Sequence, residues 1–214
     1  HPSSFFPMSS VLRSRSLSFL LLLPIFLLAA SAPLTRAMSV IPPTFDELVA
    51  ESEVIARVEV TAVRPTWVES PQGRVIKTFV TFRVVRALKG TPAAELTLPF
   101  LGGELDGESM RVSGMPRFTV GQTDIVFISD TRGVQFSPLV GLMHGRYRVQ
   151  TDAVTSRDYI ARDDGAPLES EADVQLPQAA NSPANRLKSV ARALSPADFE
   201  SRISAEVARP TTAR

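Results

Sequence analysis

Apolar and polar positions alternate longest between Val75 and Gly90, where Ile76, Thr78, Val80, Phe82 and Val84 fall on one face of an extended chain and Lys77, Thr81 and Arg83 on the other. β-Branched and aromatic residues dominate the stretch, and a period of two predicts a long, half-buried antiparallel strand. Lys89-Gly90-Thr91-Pro92 ends it in a turn. The same alternation places Val54, Ala56, Val58, Val60 and Ala62 opposite Arg57, Glu59 and Thr61. This second strand pairs most simply with the first, and Pro65 to Arg74, around Pro71-Gln72-Gly73, reads as their hairpin connection.

Shorter strands follow. Glu95 to Phe100 points Leu96, Leu98 and Phe100 inward, and its Pro99 marks an edge or an interrupted ladder. Leu101 to Gly114 reads as a glycine-rich loop with a brief strand near Met110 to Val112. Asp124 to Ser129 is apolar on both faces, as a central strand covered from both sides would be. Gly133 to Leu142 and Arg146 to Gln150 add two more. Asp158 to Arg162 and Pro167-Leu168 form a further pair around the turn Asp163-Asp164-Gly165. Turn signals at short spacing with no alternating helices predict a mainly β, antiparallel barrel or sandwich.

Helical signals are confined to the ends of this β region. Thr44-Phe45-Asp46-Glu47 has the spacing of a capping box and predicts a short helix to about Ser52, with Phe45, Leu48 and Val49 buried. After an acidic, then Gln/Ala/Asn-rich stretch over 169–181 that reads as a linker, Ser182-Pro183 and Ser195-Pro196 each offer an N-cap followed by a first-turn proline. They predict two C-terminal helices over 182–209, the first carrying Leu187, Val190, Ala191 and Leu194, the second Phe199, Ile203 and Val207. The pattern leaves open whether these helices dock on the β domain or on a partner.

Residues 1–37 read as an export signal: Arg13 and Arg15 precede the apolar run Leu17–Ala30, which is shorter than the roughly 20 residues of a membrane span. Cleavage after Ala32 or after Ala37 fits the small residues there, and an uncleaved anchor over Ser16 to Leu34 is the alternative. If Met8 is the start, residues 1–7 are not translated. The β domain then occupies 38–168, and 210–214 form a disordered end. Removing the three arginines at 13, 15 and 36 takes the net charge from +1 to −2. A near-neutral chain without a basic block gives no reason to expect nucleic acid. Cysteine is absent, which excludes disulfides, thiolate nucleophiles and cysteine-based zinc sites.

Candidate chemistry is sparse. Beyond residue 37, His144 is the one histidine, in a glycine-flanked turn, with no HExxH and no GxSxG elbow. Trp67 lies in the expected hairpin connection and is a stacking ring or a lid on a core edge. Glu104 and Asp106, with Glu108, share the GGELDGE loop, and Asp158, Asp163 and Asp164 flank the later hairpin. Neither group matches a calcium-binding loop, although the two could pair as acid and base for glycoside cleavage. Arg146 and Arg148, either side of Tyr147, offer a small anion patch or a solvated strand face. No metal or other cofactor is expected.

The succession Val54-Ile55-Ala56-Arg57-Val58, Thr78-Phe79-Val80-Thr81-Phe82, Leu88-Lys89-Gly90, Gly102-Gly103, Gly114-Met115-Pro116-Arg117-Phe118, Val120-Gly121-Gln122, Val126-Phe127-Ile128 and Gly141-Leu142 resembles a family of exported bacterial proteins. It is also similar to a module found ahead of some matrixin-type metalloproteases. The resemblance spans about Phe45 to Arg162 and implies a small OB-like antiparallel β-barrel, distantly like the netrin-like folds that include tissue metalloprotease inhibitors. Those inhibitors act through an N-terminal cysteine that this chain lacks, so no residue role carries over. The expectation is an exported, non-enzymatic binding module for a secreted protein or glycan, with Trp67, Glu104, Asp106, His144, Arg146 and Arg148 as candidate ligand-facing residues. The alternatives are a secreted hydrolase using the acidic loops and an envelope protein anchored by its N-terminal segment.

Overall fold

The computed structural model describes residues 41–71, 73–129, 136–176 and 190–210. The expected signal at 1–37, most of the first C-terminal helix and the chain end at 211–214 lie outside them. Two strands of equal length, β1 (Val54–Ser70) and β2 (Gly73–Lys89), form a long antiparallel hairpin. The hairpin is the one the alternation predicts, but Pro65–Ser70 belongs to β1 rather than to a connection. The reason is an extra residue. Val60 faces Phe82 and Ala62 faces Thr81, so Thr61 is a bulge without a partner. A bulge inverts the side-chain parity beyond it, so Val63, Pro65 and Trp67 turn inward, opposite Val80, Thr78 and Ile76. Ala62, expected inward, takes the other face.

β3 (Glu95–Leu101) pairs with β2, β6 (Thr123–Ile128) with the first part of β1, β7 (Arg146–Thr151) with β6, and β8 (Asp158–Arg162) with β7. The sheet order is β3-β2-β1-β6-β7-β8, antiparallel throughout, and β6-β1-β2-β3 is a Greek key. The expected closed barrel is not what the ladders describe: β3 and β8 end an open sheet, with no pairing between them among the described residues. A separate short hairpin joins β4 (Gly103–Leu105) to β5 (Glu108–Met110). The strand expected over Gly133 to Leu142 is reduced, in its described part, to a bridge between Leu139 and Ile128, followed by a 3-10 turn at Leu142–Gly145. Residues 130–135 lie outside the described set.

Pro99 stands where an edge strand tolerates it. Gly102 N donates to Ile76 O and Val84 N to Ala94 O, so the even-numbered residues of β3 bond to β2 and Pro99 faces the open edge. There its missing N–H removes a donor that another strand could use.

Apolar residues cover both faces of β6, as its sequence predicts. Val126 and Ile128 join a core with Val58, Val60, Val80, Phe82, Leu98, Phe100 and Phe118. Ile125 and Phe127 join a second core with α1 (Phe45–Glu51), α2 (Pro196–Val207), Tyr147, Ile160 and Leu168. α1 starts at the expected box, in which Thr44 Oγ1 accepts from Glu47 N and Thr44 N donates to Glu47 Oε2. α2 has the same arrangement between Ser195 and Asp198, and its Phe199 and Ile203 are fully buried, whereas Val207 is exposed. Phe199 packs on Tyr147 with ring centroids 5.0 Å apart. The helix thus completes the domain. Residues 169–176, expected as linker, also pack: Glu171–Gln175 is a 3-10 turn with Val174 in the core. Of the first C-terminal helix, the described end, Val190–Arg192, is 3-10.

Candidate functional site

A cavity of about 290 Å³ opens between the inner face of the sheet and the 101–118 segment. Val63 and Pro65 of β1, Thr78 and Val80 of β2, and Phe100 of β3 form its floor, while Met110, Val112, Met115 and Phe118 form its roof. The Thr61 bulge is what brings Val63 and Pro65 to this face. The roof depends on Gly102-Gly103. A Cβ on Gly103 would run into Thr78 Oγ1, and one on Gly102 would stand 2.7 Å from Met110 O. Both residues also have positive φ, at 98° and 144°, so glycine alone lets the β4-β5 hairpin lie this close to the sheet. Thr78 Oγ1 donates to Gly102 O at 2.6 Å and fixes the approach.

Two contacts hold the roof at its ends. Trp67 Nε1 donates to Asp106 Oδ2 at 3.0 Å, and the Arg74 guanidinium lies 3.9 Å from the Trp67 ring centroid. Trp67 is therefore half-buried on the strand, with one ring face taken by Arg74. It binds the loop rather than standing open in it. At the other end, Arg146 donates to Arg117 O at 2.5 Å, and its guanidinium lies 4.2 Å from the Phe118 ring centroid.

Arg146 differs from the expected surface cation. Its side chain is 3% exposed, and it pairs with Asp124 at 3.1 Å and Asp163 at 2.9 Å while also donating to Gln122 Oε1. It is spent on these partners and presents no anion patch. Burial pushes the Asp124 and Asp163 carboxyls above the ordinary range, against the pull of Arg146. Arg148, two residues along the same face, is half-buried opposite Asp124 in the ladder. His144 is buried in the 3-10 turn, where burial first and the charge of Arg162 second hold its pKa below the usual value. Neither His144 nor Arg148 lines the cavity.

Of the sequence candidates, the structure gathers Trp67, Glu104 and Asp106 at one end of the molecule. Glu104 lines the cavity mouth, 3.7 Å from Arg117 and 3.9 Å from Arg111, all three well exposed. Asp106 and Asp163, the suggested acid and base, are engaged separately, by Trp67 and by Arg146. Among the described residues no group of three or more His, Cys, Asp or Glu side chains is placed to hold a metal. Sequence reasoning missed Arg117 and the apolar roof. A signal was present, since Met110, Val112, Met115 and Phe118 put more apolar surface into the loop than a solvated loop carries.

No family model matches the chain, and no curated protein matches it significantly.

Proposed function

We propose that the chain is an exported, non-enzymatic binding module that holds an apolar group of its partner in the cavity between β1-β2-β3 and the 101–118 roof. The observation that carries this reading is the cavity itself: a largely apolar floor and roof, in which Thr78 and the Gly102-Gly103 backbone are the neutral polar part and Glu104 and Arg117 the ionisable part. Small-molecule and side-chain sites share that organisation, an apolar chamber with a few polar groups that orient the occupant. A glycan, which needs hydrogen-bonding groups throughout its site, fits such a lining less well than a protein side chain does. The candidate catalytic groups are bonded elsewhere, which favours binding over hydrolysis.

An OB-like reading of the sheet goes with this proposal. A Greek key extended by β7, with one long bulged strand shared between its halves, is what a partly open OB-type barrel contains. The likeness to exported bacterial modules and netrin-like folds is proposed on the same footing. Export itself rests on residues 1–37, and among the described residues no helix is long and apolar enough to cross a membrane. N-terminal sequencing of protein recovered outside the cytoplasm should give a start near Met38; an intact N-terminus would support the anchored alternative.

The binding reading is tested with an apolar naphthalene sulfonate probe. Its fluorescence should rise with wild-type protein and stay low with Val112→Trp, which fills the chamber from the roof. A probe response that survives Val112→Trp would place binding elsewhere. Peptide or glycan hydrolysis lost in both Asp106→Asn and Asp163→Asn would replace the binding reading with the hydrolase.

A further inference from the structure

We infer that the partner docks as an extended polypeptide segment, adding an antiparallel strand to the open edge of β1 at residues 63–69 and lodging an apolar side chain in the cavity. The inference rests on the binding reading above and names the chemistry of the partner. Its basis is a row of unpaired backbone groups beside an apolar chamber. Val84 N donates to Ala94 O and Gly102 N to Ile76 O, so even-numbered residues of β2 bond to β3. The odd-numbered ones bond to β1, where they face Ala62, Arg64, Thr66 and Val68. Val63, Pro65, Trp67 and Glu69 therefore turn their backbone groups to the opposite edge. β6 pairs with that edge only as far as Glu59, and Gly121 and Gln122 extend the cover to Val60. Beyond it, among the described residues, no strand or loop bonds to the backbone of these four. Such a row of alternating donors and acceptors is complemented by another polypeptide backbone.

The same strand supplies Val63 and Pro65 to the cavity floor. Residues directly opposite in an antiparallel pair share a face, so partner residues opposite Val63 and Pro65 point to the chamber side of the sheet. On the β3 side the chain itself closes the chamber, turning from floor to roof at Gly102-Gly103. Backbone bonds then give affinity, and the chamber selects the side chain. Its volume of about 290 Å³ lies at the lower end of the roughly 300–1,000 Å³ typical of small-molecule sites, which suits a large apolar side chain. Pro65 leaves the row one donor short, and this argues against a second copy of the chain as occupant. Two β1 edges would bring the proline twice and remove two donors from one short ladder, whereas a strand without proline loses one bond.

The test uses the protein as purified from cells and a seven-residue peptide of alternating leucine and threonine, leucine at both ends and the termini blocked. Displacement of the naphthalene sulfonate probe and amide exchange are the readouts. The peptide should displace the probe and slow exchange at the Val63, Trp67 and Glu69 amides. N-methylating its leucines, which face the chamber and donate to β1, should weaken it at least about tenfold, as loss of two or more backbone bonds requires. N-methylating its threonines, whose N–H groups point away from β1, should leave its affinity within about twofold. Equal effects of the two methylations, protection confined to β3, or no displacement of a bound probe overturns strand addition at β1 while leaving the binding reading in place. A dimer in sedimentation whose Val63, Trp67 and Glu69 amides are already slow without peptide gives the edge to a second copy and overturns the partner strand. Failure of the probe itself to bind wild-type protein removes both the inference and the reading it rests on.

Discussion

Arg146 carries a guanidinium 3% exposed to solvent, and its charge is met by Asp124 and Asp163 while its plane covers Phe118. A buried pair of this kind is strongly destabilised when one member is removed, because the other keeps its desolvation cost. Arg146→Gln should therefore cost about 3–5 kcal/mol at neutral pH and loosen the cavity roof through Arg117 and Phe118. The pH dependence has a definite sign. Without the cation, the Asp124 carboxyl rises further above its unfolded value, so the folded variant binds a proton more readily than the unfolded chain. Stability is then gained as pH falls through the folded pKa toward the unfolded value near 4, and lost as pH rises. Urea unfolding at pH 7 and pH 5 should show the deficit of Arg146→Gln narrowing at the lower pH. Gly103 supplies a second residue-level test. Gly103→Ala combines a positive φ of 144° with collision against Thr78 Oγ1, whereas Gly107→Ala, at φ 80°, meets nothing within 4 Å. Both carry a backbone penalty of roughly 1–3 kcal/mol. Gly103→Ala should cost measurably more in denaturant unfolding and should alter Trp67 fluorescence as the roof separates.

At the scale of elements, one inserted residue decides which side chains form the site. Deleting Thr61 removes the extra residue and leaves every residue beyond it on its present face, so the variant should keep Val63, Pro65 and Trp67 opposite Val80, Thr78 and Ile76, retain probe binding and leave Trp67 as shielded from iodide as in the wild type. A Trp67 newly open to iodide would show that the bend and twist of the bulge, and not the register alone, hold the inward face. This is also where the sequence ceased to be legible. Alternation identified β1, β2, β3, β6, β7, β8 and the hairpin pairing, because each depends on local period. It could not reveal the bulge, since Thr61 looks like any outward polar residue, and so Trp67 read as a loop residue. The burial of Arg146 was hidden for a related reason: an Arg-x-Arg strand looks solvated until Asp124 and Asp163 are brought beside it from other strands. Helix caps, by contrast, are local and were readable. Ser195 Oγ accepts from Asp198 N and donates to Asp198 Oδ2, and the donated bond holds the Asp198 carboxyl below its usual pKa. Ser195→Ala should cost about 1 kcal/mol in thermal or urea unfolding.

Across the whole molecule, the two apolar cores lie on opposite faces of one sheet and share β1 and β6. The C-terminal helix closes the core opposite the cavity. Phe199 touches Phe45, Phe127 and Tyr147, and Ile203 is fully buried beside them. Glu200, with a side chain 4% exposed, ties the helix to β1 through Arg57 at 3.5 Å and to β2 through Arg86 at 2.8 Å. Just before the helix, Leu194 covers the outer edge of β8, where Ile160 N donates to Leu194 O. Truncation of a buried phenylalanine costs about 3–5 kcal/mol and of a buried isoleucine about 2–5 kcal/mol, against a total stability of order 5–15 kcal/mol for a domain. Ending the chain after Leu194 removes both residues at once and leaves Tyr147 and Phe127 facing water. Since β6 supplies side chains to both cores, the damage should pass through the sheet to the cavity. The truncated chain should lose near-UV dichroism and probe binding together, with fast amide exchange in β1 and β6. A truncated chain that kept the cavity and slow exchange in β2 and β3 would instead make the Greek key an independent folding unit.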